Sequence, residues 1–265
     1  MKPLLTVCFF ALIAAALYSE DCQSARYSRL YGGAQSYYYH LRIENGPGIP
    51  ATATPNPFTG CLSGFILGYE YKNPNSLYTL LQISYALGAV KSTDAGNNER
   101  FIHDEILDWR VGYCRKFAKA GTWFLTPYTG TGFRWNVQYR RPEALSGLKF
   151  DYYKIYIPLG LAINYAPNKL VNLGIDFEWM PDVLSMVSIS NLTGSFWELE
   201  RMNNYLVQIP CIFTFANRYE LSVIPFWMQF RDGKSIAVTD LGLALDLEQQ
   251  MTNDWGGRIA FGVRF

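Results

Sequence analysis

The chain has 265 residues and a formal net charge of +1, which excludes the strongly basic surface typical of nucleic-acid-binding proteins. Aromatic residues are abundant, with 19 Tyr, 17 Phe and 7 Trp, whereas only 17% of residues are charged. A mean hydropathy of −0.02 is too low for a protein built from membrane-spanning helices. The length fits one large all-β domain or two smaller ones.

The amino terminus has the layout of a secretory signal peptide. Met1-Lys2-Pro3 precedes an uncharged apolar stretch from Leu4 to Leu17, and polar or acidic residues follow at 19–21. This stretch is too short to cross a bilayer comfortably as a helix. We predict a signal peptide over residues 1–19, with the cleavage position left open. No later stretch is long enough for a transmembrane helix, so the exported chain is soluble, surface-bound or a barrel.

Four cysteines remain after the predicted signal peptide, namely Cys22, Cys61, Cys114 and Cys211. They lack the Cys-x-x-Cys or Cys/His spacing of a zinc site, so we expect no metal and no cofactor. An exported compartment permits disulfides, and four cysteines allow three pairings. The spacing favours none of them.

Ten segments alternate between apolar and polar or glycine residues, which is typical of strands whose successive side chains point to opposite faces. These predicted strands cover residues 29–44, 62–72, 77–90, 107–116, 123–139, 153–165, 171–179, 205–215, 219–230 and 255–265. In the first strand Tyr31, Tyr37 and Tyr39 define the apolar face, and His40 and Arg42 lie on the polar one. The ninth strand, apolar on both faces, shows the least clear alternation.

The connections between these strands alternate between long and tight. The long ones are residues 45–60, 91–100, 141–148, 181–201 and 231–254, and the tight ones are residues 73–76, 118–121, 166–169 and 216–218. Outer-membrane barrels show this pattern, with short periplasmic turns and longer extracellular loops. Most of the strands exceed the usual length of about 5–6 residues and suit the roughly 9–11 residues of a tilted membrane-crossing strand.

The last strand runs from Trp255 to the carboxyl-terminal Phe265 with one apolar face and one face that carries Arg258 and Arg264. It resembles the terminal strand of Gram-negative bacterial outer-membrane β-barrel proteins. The resemblance implies that Phe261, Val263 and Phe265 form the signal read by the barrel-assembly machinery. It also implies periplasmic chaperones and outer-membrane lipid as partners and the cell outer membrane as the location.

We therefore predict an all-β fold, a transmembrane antiparallel up-and-down β-barrel of ten strands with tight periplasmic turns and long extracellular loops. Residues 20–28 form a periplasmic amino-terminal segment and residues 29–265 the single barrel domain. A count of twelve stays open, because 237–248 also alternates and 184–192 offers a partner for it. The soluble alternative, an exported barrel or sandwich, would turn its apolar face inward.

Three features favour an apolar face turned outward. The signal peptide exports the chain, and glycines collect on the polar face, where a narrow lumen needs room. Aromatic residues at strand ends on the apolar face predict the girdles of a membrane barrel, and they are Trp123, Trp135, Tyr139, Tyr165, Trp179 and Trp255.

The polar faces predict a lumen lined by charged residues and one histidine. The predicted lumen residues are His40, Arg42, Glu44, Glu70, Lys72, Asp108, Arg110, Lys116, Arg134, Lys154, Asp176, Glu178, Arg258 and Arg264. Opposite charges at close quarters in a narrow bore will pair, because an unpaired buried charge is unfavourable. The pattern predicts a salt-bridged plug with a structural role, and the porin-like alternative is a narrow, slightly cation-rich path for small solutes.

A catalytic role has little support in the residues. Omptin proteases resemble this chain in size and strand number and use an Asp–His dyad opposite paired aspartates at the outer rim. Only His40 and His103 are available, and the alternation places His103 outward and His40 inward without a pair of aspartates. His-x-Ser, Gly-x-Ser-x-Gly, P-loop and His-Glu-x-x-His motifs are absent from the sequence.

We therefore expect no enzyme, with a rim hydrolase of the omptin kind as one alternative. A loop-mediated adhesin or recognition protein is the other. For that role the proline-rich segment 47–57 and the loop that carries Phe196 and Trp197 are the candidate surfaces for ligands.

Overall fold

The computed structural model of the chain describes residues 27–44, 57–92, 99–117, 122–140, 149–190, 196–235, 247 and 249–265. The predicted signal peptide, Cys22, most of the proline-rich segment and all of 237–248 except Leu247 lie outside these residues. The described part of the chain contains no helix long and apolar enough to cross a membrane.

The described residues form thirteen strand segments of one antiparallel sheet. They are β1 (Tyr27–Glu44), β2 (Phe58–Lys72), β3 (Ser76–Ser92), β4 (Glu99–Phe117), β5 (Thr122–Arg140), β6 (Lys149–Tyr156), β7 (Leu159–Ala166), β8 (Val171–Ile189), β9 (Phe196–Glu198), β10 (Asn203–Gln208), β11 (Cys211–Phe215), β12 (Tyr219–Asp232) and β13 (Gln249–Arg264). Pairing of β13 with both β12 and β1 closes the sheet into a barrel.

The segments form ten barrel strands, which confirms the predicted fold and strand count. Segments β6 and β7 both pair with β5 and β8, so they are two halves of one barrel strand. Segments β9, β10 and β11 all pair with β8 and make up another. Two of the breaks between segments fall at Pro158 and Pro210, because proline has no N–H to donate to the ladder.

The expectation of a long loop beginning at residue 181 is wrong. Segment β8 continues to Ile189, and its last residues pair with β6. Residues 184–189 therefore belong to the seventh barrel strand and are not a separate strand. The register between β8 and β6 shifts between Asp182 and Leu184, so the buried positions of β8 change from even numbers up to Asp182 to odd numbers from Ser185.

The short turns use residues suited to tight geometry. Asn75 and Asn217 both have φ of 59°, in the left-handed region that asparagine tolerates better than most residues. In the turn before β8, Asn168 Oδ1 accepts hydrogen bonds from the backbone N–H groups of Leu170 and Val171, each at 2.9 Å. Because the strands run up and down in order, these short turns lie at one end of the barrel. In outer-membrane barrels this is the periplasmic end.

The apolar face points outward, as predicted. Phe65, Trp109 and Ile259 are 51%, 48% and 59% exposed in the middle of their strands. By contrast, Glu70, Asp108 and Arg258 of the same three strands are buried. Aromatic pairs lie near both ends of the outer wall, with Trp123 stacked on Tyr165 at 4.5 Å near the short turns. This surface suits lipid, because soluble proteins rarely expose so large an apolar area.

The first strand is the exception, and its predicted faces are reversed. Tyr37, Tyr39 and Leu41 are at most 4% exposed inside the barrel, so His40 and Arg42 face outward. Both faces of β1 carry aromatic residues, and the alternation alone therefore does not distinguish them. The Tyr37 hydroxyl favours the lumen, because it donates a hydrogen bond there to Asp104 Oδ2 at 3.0 Å.

Candidate functional site: the lumen network

Most of the predicted lumen residues lie on the inner wall. Those that are at most 8% exposed there are Glu70, Lys72, Asp108, Arg110, Arg134, Lys154, Asp176, Glu178 and Arg258. Arg264 joins them at the periplasmic end, where it pairs with Glu220. Lys116 is partly buried and forms no ion pair with a described residue. His40 and Arg42 do not belong to the lumen, and the side chain of Glu44 lies outside the described part.

The centre of the lumen is held by the Arg110 cluster, which consists of Arg110, Asp108, Asp176, Glu178 and Tyr128. The guanidinium is fully buried, and its Nη atoms lie 2.8 Å from Glu178, 3.1 Å from Asp176 and 3.3 Å from Asp108. The Tyr128 hydroxyl donates to Asp176 Oδ1 at 2.6 Å and lies 2.9 Å from Glu178 Oε2. One arginine thus serves three carboxylates, and the planar guanidinium suits this role.

Glycines on the inner wall make room for tyrosine rings. A Cβ at Gly160 would lie 2.1 Å from Cζ of Tyr128, so a residue with a side chain would displace the ring. The same arrangement recurs with Tyr156 over Gly132 and with Tyr31 over Gly68. Tyr156 in turn donates to Asp108 Oδ1 at 2.6 Å. The glycines on the polar face therefore hold the aromatic members of the network in place.

Above the Arg110 cluster, Arg134 pairs with Asp104. Its Nε lies 2.7 Å from Asp104 Oδ1, and the guanidinium carbon lies 4.0 Å above the ring of Phe230 on the opposite side of the bore. Apolar residues fill the space around this pair. They include Tyr39, Leu41, Leu62, Ile102 and Met228, each at most 2% exposed. The outer half of the lumen is therefore largely an apolar core.

Near the extracellular end, Lys154 lies between two acids. Its ammonium is 3.1 Å from Asp182 and 3.2 Å from Asp232. A further apolar cluster on β6, β8 and β9 buries Trp197 completely. Of the two aromatic residues expected to serve as a loop surface, only Phe196 is exposed, at 58%.

The periplasmic end is closed by a chain of ion pairs. Arg29 Nε lies 2.5 Å from Glu70, and its Nη1 lies 3.2 Å from Glu220. Glu220 also pairs with Arg264 of the last strand, so the closing strands β12 and β13 are tied to β1 and β2. Arg29 was not predicted to lie in the lumen, because the wrong face of β1 was assigned to the inside of the barrel.

Several buried acids of the lumen were also missed. The acids of the inner wall that the alternation did not assign to it are Asp104, Asp182, Glu220, Asp232 and Asp254. With them, buried carboxylates outnumber buried cations among the described residues, unlike in the slightly cation-rich path of the porin-like alternative. The inward position of Asp104 could have been predicted, because the even-numbered residues of β4 from Arg110 through Ile106 to Asp104 all share the inner face.

Asp254 differs from the other acids because neither of its oxygens has a hydrogen-bond partner, although the side chain is fully buried. It lies opposite Tyr39, whose hydroxyl also lacks a partner. Buried polar groups are usually satisfied, so burial of these two groups disfavours the folded barrel.

The outward-facing histidines lie away from the lumen. His103 Nδ1 is 3.0 Å from the Tyr85 hydroxyl, and Nε2 is 3.2 Å from that of Tyr139, within the extracellular aromatic girdle. Among the described residues no cluster of His, Cys, Asp and Glu fits a metal ion. Cys61, Cys114 and Cys211 are free thiols.

Comparison with known proteins identifies the fold. No protein-family model and no curated protein matches this sequence. The barrel is similar to the outer membrane protease OmpT from Escherichia coli, with a TM-score of 0.53 and 8% identity over 94% of this chain and 100% of that chain. It is also similar to the translocator domain of the autotransporter NalP from Neisseria meningitidis, with a TM-score of 0.44 and 12% identity over 100% and 96% of the two chains.

At 8% identity the similarity to OmpT shows a shared outer-membrane β-barrel fold and nothing about activity. The apolar outer wall with aromatic girdles agrees with that fold. This protein is therefore an outer-membrane β-barrel located in the cell outer membrane.

Proposed function

We propose that this protein is a structural, non-conducting outer-membrane barrel, whose filled lumen makes a rigid support for the extracellular loops. The main support for this proposal is a contact between side chains on opposite walls of the barrel. Gln138 on the fifth barrel strand donates to Gln250 on the tenth, at 3.2 Å. In a barrel of ten strands these two are diametrically opposite, so side chains of opposite walls meet across the bore at this height.

Other contacts cross the bore at lower heights. Arg110 on the fourth barrel strand reaches Asp176 on the seventh, and Lys72 on the second reaches Asn164 on the sixth, at 2.9 Å. Barrels of about eight strands are filled by side chains, and the large tyrosines and arginines extend that filling to ten. A water-filled pore would instead separate these groups, and the buried pairs would be lost.

Reconstitution in planar bilayers tests the proposal. The purified full chain is expected to give no discrete conductance steps and no swelling of liposomes in arabinose. Comparison of boiled and unboiled samples by electrophoretic mobility shows that the folded barrel is present in the same preparation. Regular conductance steps from the folded wild-type protein would favour the porin-like alternative.

The proposal includes no catalytic role. Both histidines of the chain face outward, so neither lies in a cleft at the mouth of the lumen as the omptin arrangement requires. The double variant His40→Ala, His103→Ala is expected to leave the folded barrel intact. A protease or lipase activity of the wild-type protein that this variant loses would contradict the structural assignment.

A further inference from the structure

A cavity of about 60 Å³ lies in the periplasmic half of the lumen, directly below the Arg110 cluster. This volume has room for a few water molecules or one small ligand. Polar residues from strands all around the barrel contribute to its wall, and they include Lys72, Arg110, Thr126, Asn164, Asn172 and Gln208. Two carboxylates also line it, Glu70 and Asp176, and they are ion-paired with Arg29 and Arg110 of the same wall. Lys72 ends β2, so the cavity extends towards the periplasmic mouth.

Lys72 supplies a buried positive charge that forms no ion pair with a described residue. The residue is 5% exposed, and its ammonium donates to Asn164 Oδ1 at 2.9 Å and lies 4.9 Å from the centre of the Phe124 ring. No carboxylate of the described residues lies within ion-pair distance of it. The nearest acid in sequence, Glu70, is paired with Arg29. A buried cation without an anion is unfavourable.

Two further donors on the cavity wall lack acceptors. The Thr126 side chain is 1% exposed, and its hydroxyl has no hydrogen-bond partner. Arg110 Nε is also without a partner, although the Nη atoms of the same guanidinium are fully engaged. Because buried donors are almost always satisfied, these atoms indicate an acceptor inside the cavity. Asn172 Oδ1 lacks a partner as well, and rotation of its amide by 180° would present a donor instead.

We propose that this cavity is a binding site for a small monovalent anion, a halide or a carboxylate the size of formate. Lys72 provides the counter-charge, and Thr126 donates a hydrogen bond. The small volume excludes larger anions such as gluconate. Lys72 is the only cation of the described wall that forms no ion pair, and this favours a ligand with a single negative charge. The site is a blind pocket on the periplasmic side, so it is compatible with a lumen that does not conduct.

Arg258 is the other buried cation without an ion pair to a described residue, and it does not compete for this role. Arg258 donates to Gln35 and Gln208, and Gln208 in turn donates to Asp176 at 2.8 Å. It therefore reaches the carboxylates of the Arg110 cluster through one intervening amide, and it is not part of the cavity wall.

Thermal unfolding of the refolded full chain in detergent tests the site with bromide and formate as probes. At equal ionic strength, each sodium salt is expected to raise the midpoint relative to gluconate in a saturable way, as binding to the folded state requires. Lys72→Met is expected to abolish this shift, because it removes the charge without adding a polar group. Thr126→Val is expected to weaken the apparent affinity roughly tenfold, as loss of one hydrogen bond to an anion implies.

Lys169→Met, in an exposed turn at the same end, serves as the matched control and is expected to keep the full shift. Crystals of the wild-type protein grown with bromide supply a second readout that needs no variant, through anomalous scattering within the cavity. An equal shift in Lys72→Met and in wild type, or a cavity without bromide scattering, would overturn the proposal.

Discussion

The ring of Tyr128 occupies the space in which a side chain at position 160 would stand. A Cβ at Gly160 would lie 2.1 Å from Cζ and 2.3 Å from the hydroxyl oxygen of Tyr128. The same hydroxyl forms hydrogen bonds with Asp176 and Glu178 on another strand. Because Gly160 has no side chain, Tyr128 can occupy this space and hold the two carboxylates in place. The polar centre of the barrel therefore depends on a residue that has no polar group.

Gly160→Ala is expected to destabilise the barrel by about 1–3 kcal/mol, because the ring must move and its hydrogen bonds to the carboxylates are strained. The urea midpoint of the refolded protein in detergent micelles measures this. Gly257→Ala is the matched control, since a Cβ there would meet nothing within 4 Å, and it is expected to stay within about 0.5 kcal/mol of wild type. Equal effects of the two changes would argue against the role of the ring.

Arg110→Met is expected to be among the most damaging single changes. It leaves Asp108, Asp176 and Glu178 buried together without a cation, and removal of one partner of a buried ion pair costs about 3–5 kcal/mol. The measurement is the midpoint of urea unfolding, followed by the electrophoretic shift on boiling. Arg218→Met, the same change at an exposed turn position, is expected to have little effect. A stable Arg110→Met barrel would show that the cluster contributes little to stability.

Asp254→Asn and Asp104→Asn are expected to act in opposite directions. Asp254 has no hydrogen-bond partner, so the neutral amide removes an uncompensated buried charge and raises the unfolding midpoint. Asp104 pairs with Arg134, and its replacement leaves that guanidinium unpaired and lowers the midpoint. Thermal unfolding of both variants under the same conditions provides the comparison. Destabilisation by both would mean that Asp254 has a partner in the folded protein.

Phe265→Ala is expected to lower the amount of folded barrel in the outer-membrane fraction while leaving the stability of the purified barrel nearly unchanged. Phe265 is 74% exposed and its ring is 6.4 Å from that of Tyr69, so it contributes little packing. Its proposed role is recognition by the barrel-assembly machinery, with Phe261 and Val263 on the same face.

Phe215→Ala is the control for this experiment, since Phe215 is also an outward aromatic residue at the periplasmic end but precedes a turn. The heat-modifiable fraction in isolated outer membranes measures assembly. If both variants assemble equally well, the carboxyl-terminal aromatic residue is not the signal.

Much of the fold was predictable because it depends on local pattern. Apolar residues recur at every second position along much of β2, β3 and β5. This pattern shows both that these segments are strands and which of their faces meets lipid. Loop lengths add the order of long and short connections, and this places the termini at the periplasmic end. The inner positions of Asp108, Arg110 and Arg134 follow from the same alternation.

The first strand shows where the pattern fails. A tyrosine suits a lipid interface with its ring and a polar lumen with its hydroxyl, so Tyr31, Tyr37 and Tyr39 carried no information about direction. Only the pairing of β1 with both β2 and β13 in the closed barrel settles that these rings lie inside. His40 and Arg42 then face outward as a consequence.

The sequence by itself predicted a membrane barrel with polar residues along its bore, of ten strands with twelve left open. The tertiary structure decided the strand count and which of those residues meet. Arg110 and Glu178, or Gln138 and Gln250, are far apart along the chain and are brought together across the lumen by barrel closure. The same closure leaves Lys72 and Asp254 without an ion pair to any described residue, because the distance across a bore depends on the register of all ten strands and not on the pattern of any one of them.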